Sequence, residues 1–286
     1  MVPAPAPNKE AVRLVWRITS VIVVLSAFAV VFRGYLIGDS GEMAFEEAVG
    51  TMLALYDEDP QARRPATRVA IEQVARVAEE APENAPAAAY FAQGVLLEGQ
   101  ERLGEAEEAY REAIARDPEW SRAYYGLGVV LHKQEQVEEA EAYLRQAIAL
   151  APEWSRAHNG LAILLRMNGR MEAARERAKR AVELAPNSVA SRNNYGNLLL
   201  RLERYEEAAK EYRTAISVAP DHPAPYYNLA CVRSLQGNHE EACDYLEQAI
   251  ALDAAFREQA RGDGDFDAIR DEPEFRALVY GNNGED

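Results

Sequence analysis

Residues 121–152, SRAYYGLGVVLHKQEQVEEAEAYLRQAIALAP, overlie residues 155–186, SRAHNGLAILLRMNGRMEAARERAKRAVELAP, without a gap. In that register Gly128 meets Ala162, Ala140 meets Ala174, Ala147 meets Ala181 and Pro152 meets Pro186. Pro118 and Pro220 extend the series, so four prolines stand 34 residues apart. A constant period of this length marks a stack of supersecondary units, each burying its apolar side only against its neighbours. Such a stack encloses no central cleft for chemistry and presents a long surface to a partner.

Taking each proline as position 32 yields five units, which start at Ala87, Ser121, Ser155, Val189 and Pro223. Position 8 then reads Gly94, Gly128, Ala162, Gly196, Ala230, and position 20 is Ala106, Ala140, Ala174, Ala208, Ala242. Position 27 is again all alanine, whereas position 24 holds Tyr110, Leu144, Ala178, Tyr212 and Leu246. Two antiparallel helices approach closely only where neither carries a bulky side chain, which assigns positions 8 and 20 to the contact inside each unit. Position 27 serves the next unit, and the larger residue at 24 fills the space around it. Proline past the second helix removes a donor and stops it.

The period and the small-residue columns resemble the tetratricopeptide repeat. The resemblance implies an all-α protein, a right-handed α-solenoid of helix-turn-helix repeats over residues 87–256. Glu42 to Asp57 and Ala66 to Ala81 also read as helices, forming a linker or degenerate capping repeat within residues 38–86. Residues 257–286 read as a capping tail, where Phe266, Ile269, Phe275 and Leu278, with Phe256 just before them, cover the last open helix face.

The N-terminus is of a different kind. Ile18 to Phe32 carries no charge, and extending it to residues 14–37 spans a bilayer if Arg17 and Arg33 snorkel to the headgroups. A short tail, residues 1–13, precedes it; Lys9 and Arg13 in the tail, with Arg17 at the N-terminal end of the span, place the N-terminus in the cytoplasm, and the acids Asp39, Glu42, Glu46 and Glu47 follow the span. The expectation is a single-pass protein of the cytoplasmic (inner) membrane with its repeats on the periplasmic or exoplasmic side. Ala27-Phe28-Ala29 keeps a cleaved signal peptide as the competing reading.

A net charge of −16 argues against non-specific nucleic-acid binding, which needs a basic surface. Two cysteines, Cys231 and Cys243, make neither a zinc cluster nor a disulfide scaffold, although one bridge between them stays open. No phosphate loop, dinucleotide fingerprint or zinc-protease motif is present. Gly38-Asp39-Ser40-Gly41 resembles the nucleophile segment of a serine protease but lacks a scaffold for partners, and a helix start at Ser40 explains it. Asp263, Asp265, Asp267 and Glu274 have the spacing of a calcium loop, yet Ala268 stands at its turn and Arg270 within it. The reading is a non-enzyme without cofactor or metal.

In the tetratricopeptide family the inner surface is lined by the first helix of each unit, mainly at positions 2, 5, 9, 12 and 13. In units two to five these twenty positions contain no Asp or Glu, although acids outnumber bases 47 to 31 in the chain. Arg122, Tyr125, Arg156, Asn159, Arg166, Asn193, Asn197, Arg201 and Tyr227 are the expected partner-binding residues. Arginine holds a carboxylate at two points, and an asparagine amide donates to and accepts from a peptide backbone. The resemblance thus implies a membrane-anchored bacterial scaffold or adaptor binding an extended or carboxylate-ended peptide in the assembly or biogenesis of an envelope complex. The alternative is a constitutive structural subunit of a large membrane complex, held by its span and outer face. A third reading has the groove filled by the chain's own acidic tail.

Overall fold

The computed structural model describes residues 49–54, 56, 65–80 and 83–281. The span expected at residues 14–37, the Ser40 segment and the acidic end Gly284-Glu285-Asp286 lie outside the described residues. Among the described residues every regular element is a helix, and no helix is long and apolar enough to cross a membrane. The fold is an all-α solenoid of helical repeats. The chain divides into two compact units between Leu150 and Ala151, a boundary with no mark in the repeat pattern.

The first unit contains α1 (Pro65–Glu80), α2 (Ala87–Gly99), α3 (Leu103–Arg116), α4 (Ser121–Lys133) and α5 (Val137–Leu150). Pairs α2–α3 and α4–α5 are antiparallel hairpins, and α1 packs on α2. A helical stretch at 49–54 contributes the buried Met52, and Tyr56 meets Phe91 edge-on with ring centroids 5.2 Å apart. The second unit contains α6 (Ser155–Met167), α7 (Met171–Leu184), α8 (Val189–Arg201), α9 (Tyr205–Val218), α10 (Pro223–Leu235) and α11 (His239–Leu252). A cap follows, made of α12 (Ala255–Gly262), the 3-10 turn Gly264–Ile269 and α13 (Pro273–Tyr280).

The bend between the helices of each hairpin has one recipe. Glu101, Glu135, Gly169, Glu203 and Gly237, the fifteenth residue of each unit, have φ between 57° and 76°. The next N–H reaches back to a helix carbonyl, as in Gln136 to Leu131 (2.9 Å) and Arg204 to Leu199 (2.9 Å). This satisfies the helix-end carbonyls in a Schellman motif, and the left-handed turn is held even where glutamate replaces glycine.

The packing refines the reading of the columns. All five alanines at position 20 and all five at position 27 are fully buried. Position 8, however, is small because of position 24: a Cβ on Gly94 would sit 2.7 Å from Tyr110, and one on Gly196 2.5 Å from Tyr212. Gly128 is likewise pressed by Leu144 at 2.8 Å. Close approach is therefore glycine against a large side chain rather than small against small.

Candidate functional site

The first helices of the hairpins carry the predicted binding residues. Arg122 and Tyr125 are half-buried on α4 of the first unit. On the same helix Lys133 is taken by Glu98 at 3.1 Å and Glu101 at 3.7 Å. The second unit brings together Arg156, Asn159 and Arg166 on α6 with Asn193, Asn197 and Arg201 on α8. These two helices are neighbours, and α10 lies beside α8. All six residues keep solvent exposure, and the Arg201 side chain is 60% exposed.

Amide side chains link these helices in a ladder. Asn194 Nδ2 donates to Asn159 Oδ1 (3.2 Å), and Asn228 Nδ2 donates to Asn193 Oδ1 (2.8 Å). Tyr212, wholly buried in its hairpin, donates its hydroxyl to Asn197 Oδ1 (2.7 Å). Each predicted asparagine thus already accepts one hydrogen bond, while among the described residues none of their Nδ2 groups has a side-chain acceptor. Each of these carbonyls has one of its two acceptor sites engaged, and the amide NH2 groups add donors to the face. Asn194 and Asn228 were missed by the sequence reading, although both hold the sixth position of their units.

Tyr227 is a second correction. It is 2% exposed and donates its hydroxyl to Asp263 Oδ2 (2.7 Å). The cap has closed over α10: Phe266 meets Tyr227 edge-on at 5.5 Å, Phe256 lies 4.9 Å from it, and Phe275 backs Phe266 at 5.5 Å. Ala260, Phe266, Ile269, Phe275 and Val279 are buried, whereas Leu278 keeps partial exposure. Among the described residues the acidic occupant of this end is the 263–265 segment.

The same contacts dissolve the calcium-loop pattern. Asp263 Oδ1 accepts from the Asp265 N–H (3.0 Å), Asp267 pairs with Arg270 (2.7 Å), and Glu274 begins α13. Cys231 Sγ and one carboxylate oxygen each of Asp263 and Asp265 lie within 4.8 Å of one another. Those ligand types suit a divalent cation, but Arg201 already stands 3.8 Å from Asp265, so a cation belonging to the chain itself balances the pair. Burial and the neighbouring Asp263 raise the Asp265 pKa, and burial pushes the Cys231 thiol well up. Both thiols are free and buried; Cys243 is 6% exposed and does not face outward, and burial with Glu274 nearby lifts its pKa to about 11.

Charge changes sign along the second unit. Residues 155–184 carry seven basic residues against three acids, residues 223–252 one against four. The α6–α7 hairpin is thus the basic part of an acidic protein.

Position 4 carries a further regularity. His158 Nε2 lies 3.0 Å from the Pro152 carbonyl, Arg192 Nε donates to Pro186 (2.7 Å), and the Tyr226 hydroxyl donates to Pro220 (3.1 Å). Each closes the link into its hairpin. His158 thus has a defined structural bond.

No curated protein matches the chain. Among solved structures, it is similar to PilF of Pseudomonas aeruginosa, at 20% identity and a TM-score of 0.58, over 79% of this chain and 96% of that one. TTC0263 of Thermus thermophilus matches at 20% identity and a TM-score of 0.51, over 60% and 95%. A MamA protein matches at 19% and 0.50, over 62% and 95%. These likenesses establish the fold alone. Two family models described as tetratricopeptide repeat match the sequence itself, one at residues 188–255 and the other at residues 67–119, 91–153 and 133–189. Repeats matched along most of the chain, together with five hairpins of one geometry, show that it is a member of the tetratricopeptide repeat family.

Proposed function

We propose that this protein is a membrane-anchored adaptor whose second unit binds an extended, acidic or carboxylate-ended peptide on the face of α6 and α8. Tetratricopeptide repeats serve protein–protein interaction, and members of the family are generally scaffolds without catalysis. The observation that carries the finer reading is the hydrogen-bond polarity: Asn159, Asn193 and Asn197 each accept one bond at the carbonyl while their NH2 groups have no side-chain acceptor among the described residues, and Arg156, Arg166 and Arg201 lie on the same two helices. A donor-rich, basic surface selects a partner rich in acceptors. Arg122 and Tyr125 offer corresponding positions in the first unit, whereas Tyr227 is excluded by the cap.

The uncharged run at residues 18–32 supplies the anchor in this reading, in the cytoplasmic membrane with the repeats on its outer side. Anchoring raises the effective concentration of the binding face near membrane-embedded partners, so modest contacts suffice in assembling an envelope complex. The test is a mild-detergent pull-down of the full-length chain beside an Arg166→Glu, Asn193→Asp, Asn197→Asp variant. Aspartate keeps the oxygen that accepts from Asn228 or Tyr212, removes the NH2 donor and adds a negative charge that repels an acidic ligand. Loss of one co-purifying protein, with the melting temperature unchanged, is the expected result. An identical set of partners refutes the proposal and favours a structural subunit held by other surfaces.

A further inference from the structure

The end of α8 is where the binding face meets the cap. Arg201 closes that helix with its side chain 60% exposed, and its guanidinium lies 3.8 Å from Asp265 Oδ1, whose own side chain is 17% exposed. Asp265 is held there by its backbone: Asp263 caps the 3-10 turn through the Asp265 N–H, and Phe266, the next residue, is wholly buried in the aromatic cluster with Tyr227 and Phe275. Asp265 cannot follow Arg201, while Arg201, on a long exposed stem, can leave Asp265.

We propose that Asp265 is a built-in competitor for Arg201, so that an acidic peptide gains this arginine only by drawing the guanidinium away from the cap. The inference rests on the binding face proposed for α6 and α8 and adds its regulation. The penalty is physical. Without Arg201, the Asp265 carboxylate is left half-buried beside Asp263, like charge against like charge, and Tyr227 and Cys231 offer it no cation. The exchange is a side-chain swing and leaves the cap docked, because the contacts of Phe266, Ile269, Phe275 and Val279 do not depend on Arg201. Asp265 thus sets a threshold: a peptide with a single weak acid does not displace it, whereas a carboxylate that also reaches the amides of Asn193 and Asn197 does.

The probe is a short fluorescein-labelled peptide of alternating Gly and Asp with a free C-terminal carboxylate, titrated by anisotropy against the full chain. Asp265→Asn is nearly isosteric and keeps the cap. It is expected to tighten binding roughly two- to fivefold, the scale of removing a partly exposed ion-pair competitor. The gain is expected to vanish in an Arg201→Gln background, and Asp271→Asn, which removes a charge from an exposed site of the same cap, is expected to give none. If the probe binds and is lost with Asn193→Asp, Asn197→Asp, yet Asp265→Asn changes nothing, the face stands and the competitor is overturned. A gain that persists with Arg201→Gln, or appears equally with Asp271→Asn, overturns it as well, since the effect is then net charge. No binding to either wild type or Asp265→Asn overturns both the face and the competitor.

Discussion

Acid should weaken the second unit through His158, and a single substitution should abolish that part of the effect. His158 is 4% exposed, and its ring bonds the Pro152 carbonyl through Nε2. A carbonyl only accepts, so Nε2 carries the hydrogen, and Nδ1 is buried without a partner. Protonation would place a second N–H where nothing accepts it. Burial above all lowers the His158 pKa; the Pro152 bond opposes it, and Arg177 and Arg180 from α7 add smaller lowering effects. The sign follows from proton counting: below about pH 6.5 the unfolded chain takes a proton that the folded chain refuses. Stability is therefore complete above that pH and falls as pH drops towards the folded value. The slope has a ceiling of ~1.4 kcal/mol per pH unit for one group. A loss of about 1 kcal/mol corresponds to roughly 3–5 °C in melting temperature for a unit of this size.

Position 4 is tyrosine in three other units, at Tyr90, Tyr124 and Tyr226, and Tyr226 makes the equivalent bond to Pro220. His158→Tyr should therefore keep the bond and lose the titration. Thermal and urea melts of both proteins at about pH 7.5 and about pH 5.5, at equal ionic strength, measure the difference. His132, also lowered by burial, and the carboxylates are common to both proteins and cancel in the subtraction. If the variant loses as much stability as wild type over that interval, the reasoning is refuted.

The size exchange between positions 8 and 24 makes Gly196→Ala destabilising by about 1–3 kcal/mol, since its Cβ would press Tyr212 at 2.5 Å. Adding Tyr212→Leu should recover part of the loss, because it reproduces the Ala230–Leu246 pair of the last hairpin; calorimetric melts that show no recovery would count against the pairing. Phe266→Ala should cost about 3–5 kcal/mol and loosen the cap. Cys231, 2% exposed in the native protein, should then react with a thiol reagent much faster than it does in wild type, and an unchanged rate would show that the cap does not shield it.

The repeat, the hairpin starts and the acid-free positions on the first helices could all be read from the chain because each is a local property recurring at one period. A helix ends where proline removes its donor, and a close approach demands glycine or alanine wherever it recurs. Even there, tertiary structure decided the main reason for one column: glycine at position 8 answers chiefly the ring or branch at position 24 of its own hairpin. The face proposed for binding was legible as positions and not as chemistry. That Asn159, Asn193 and Asn197 present donors follows from bonds to residues 15 to 35 positions away, and such bonds leave no periodic mark. Tyr227 and Asp263 show the limit most clearly. Their types and spacing allowed a groove residue and a calcium ligand, and only the docking of the cap, driven by burial of Phe266 and Phe275, turned them into a hydrogen-bonded pair 36 residues apart.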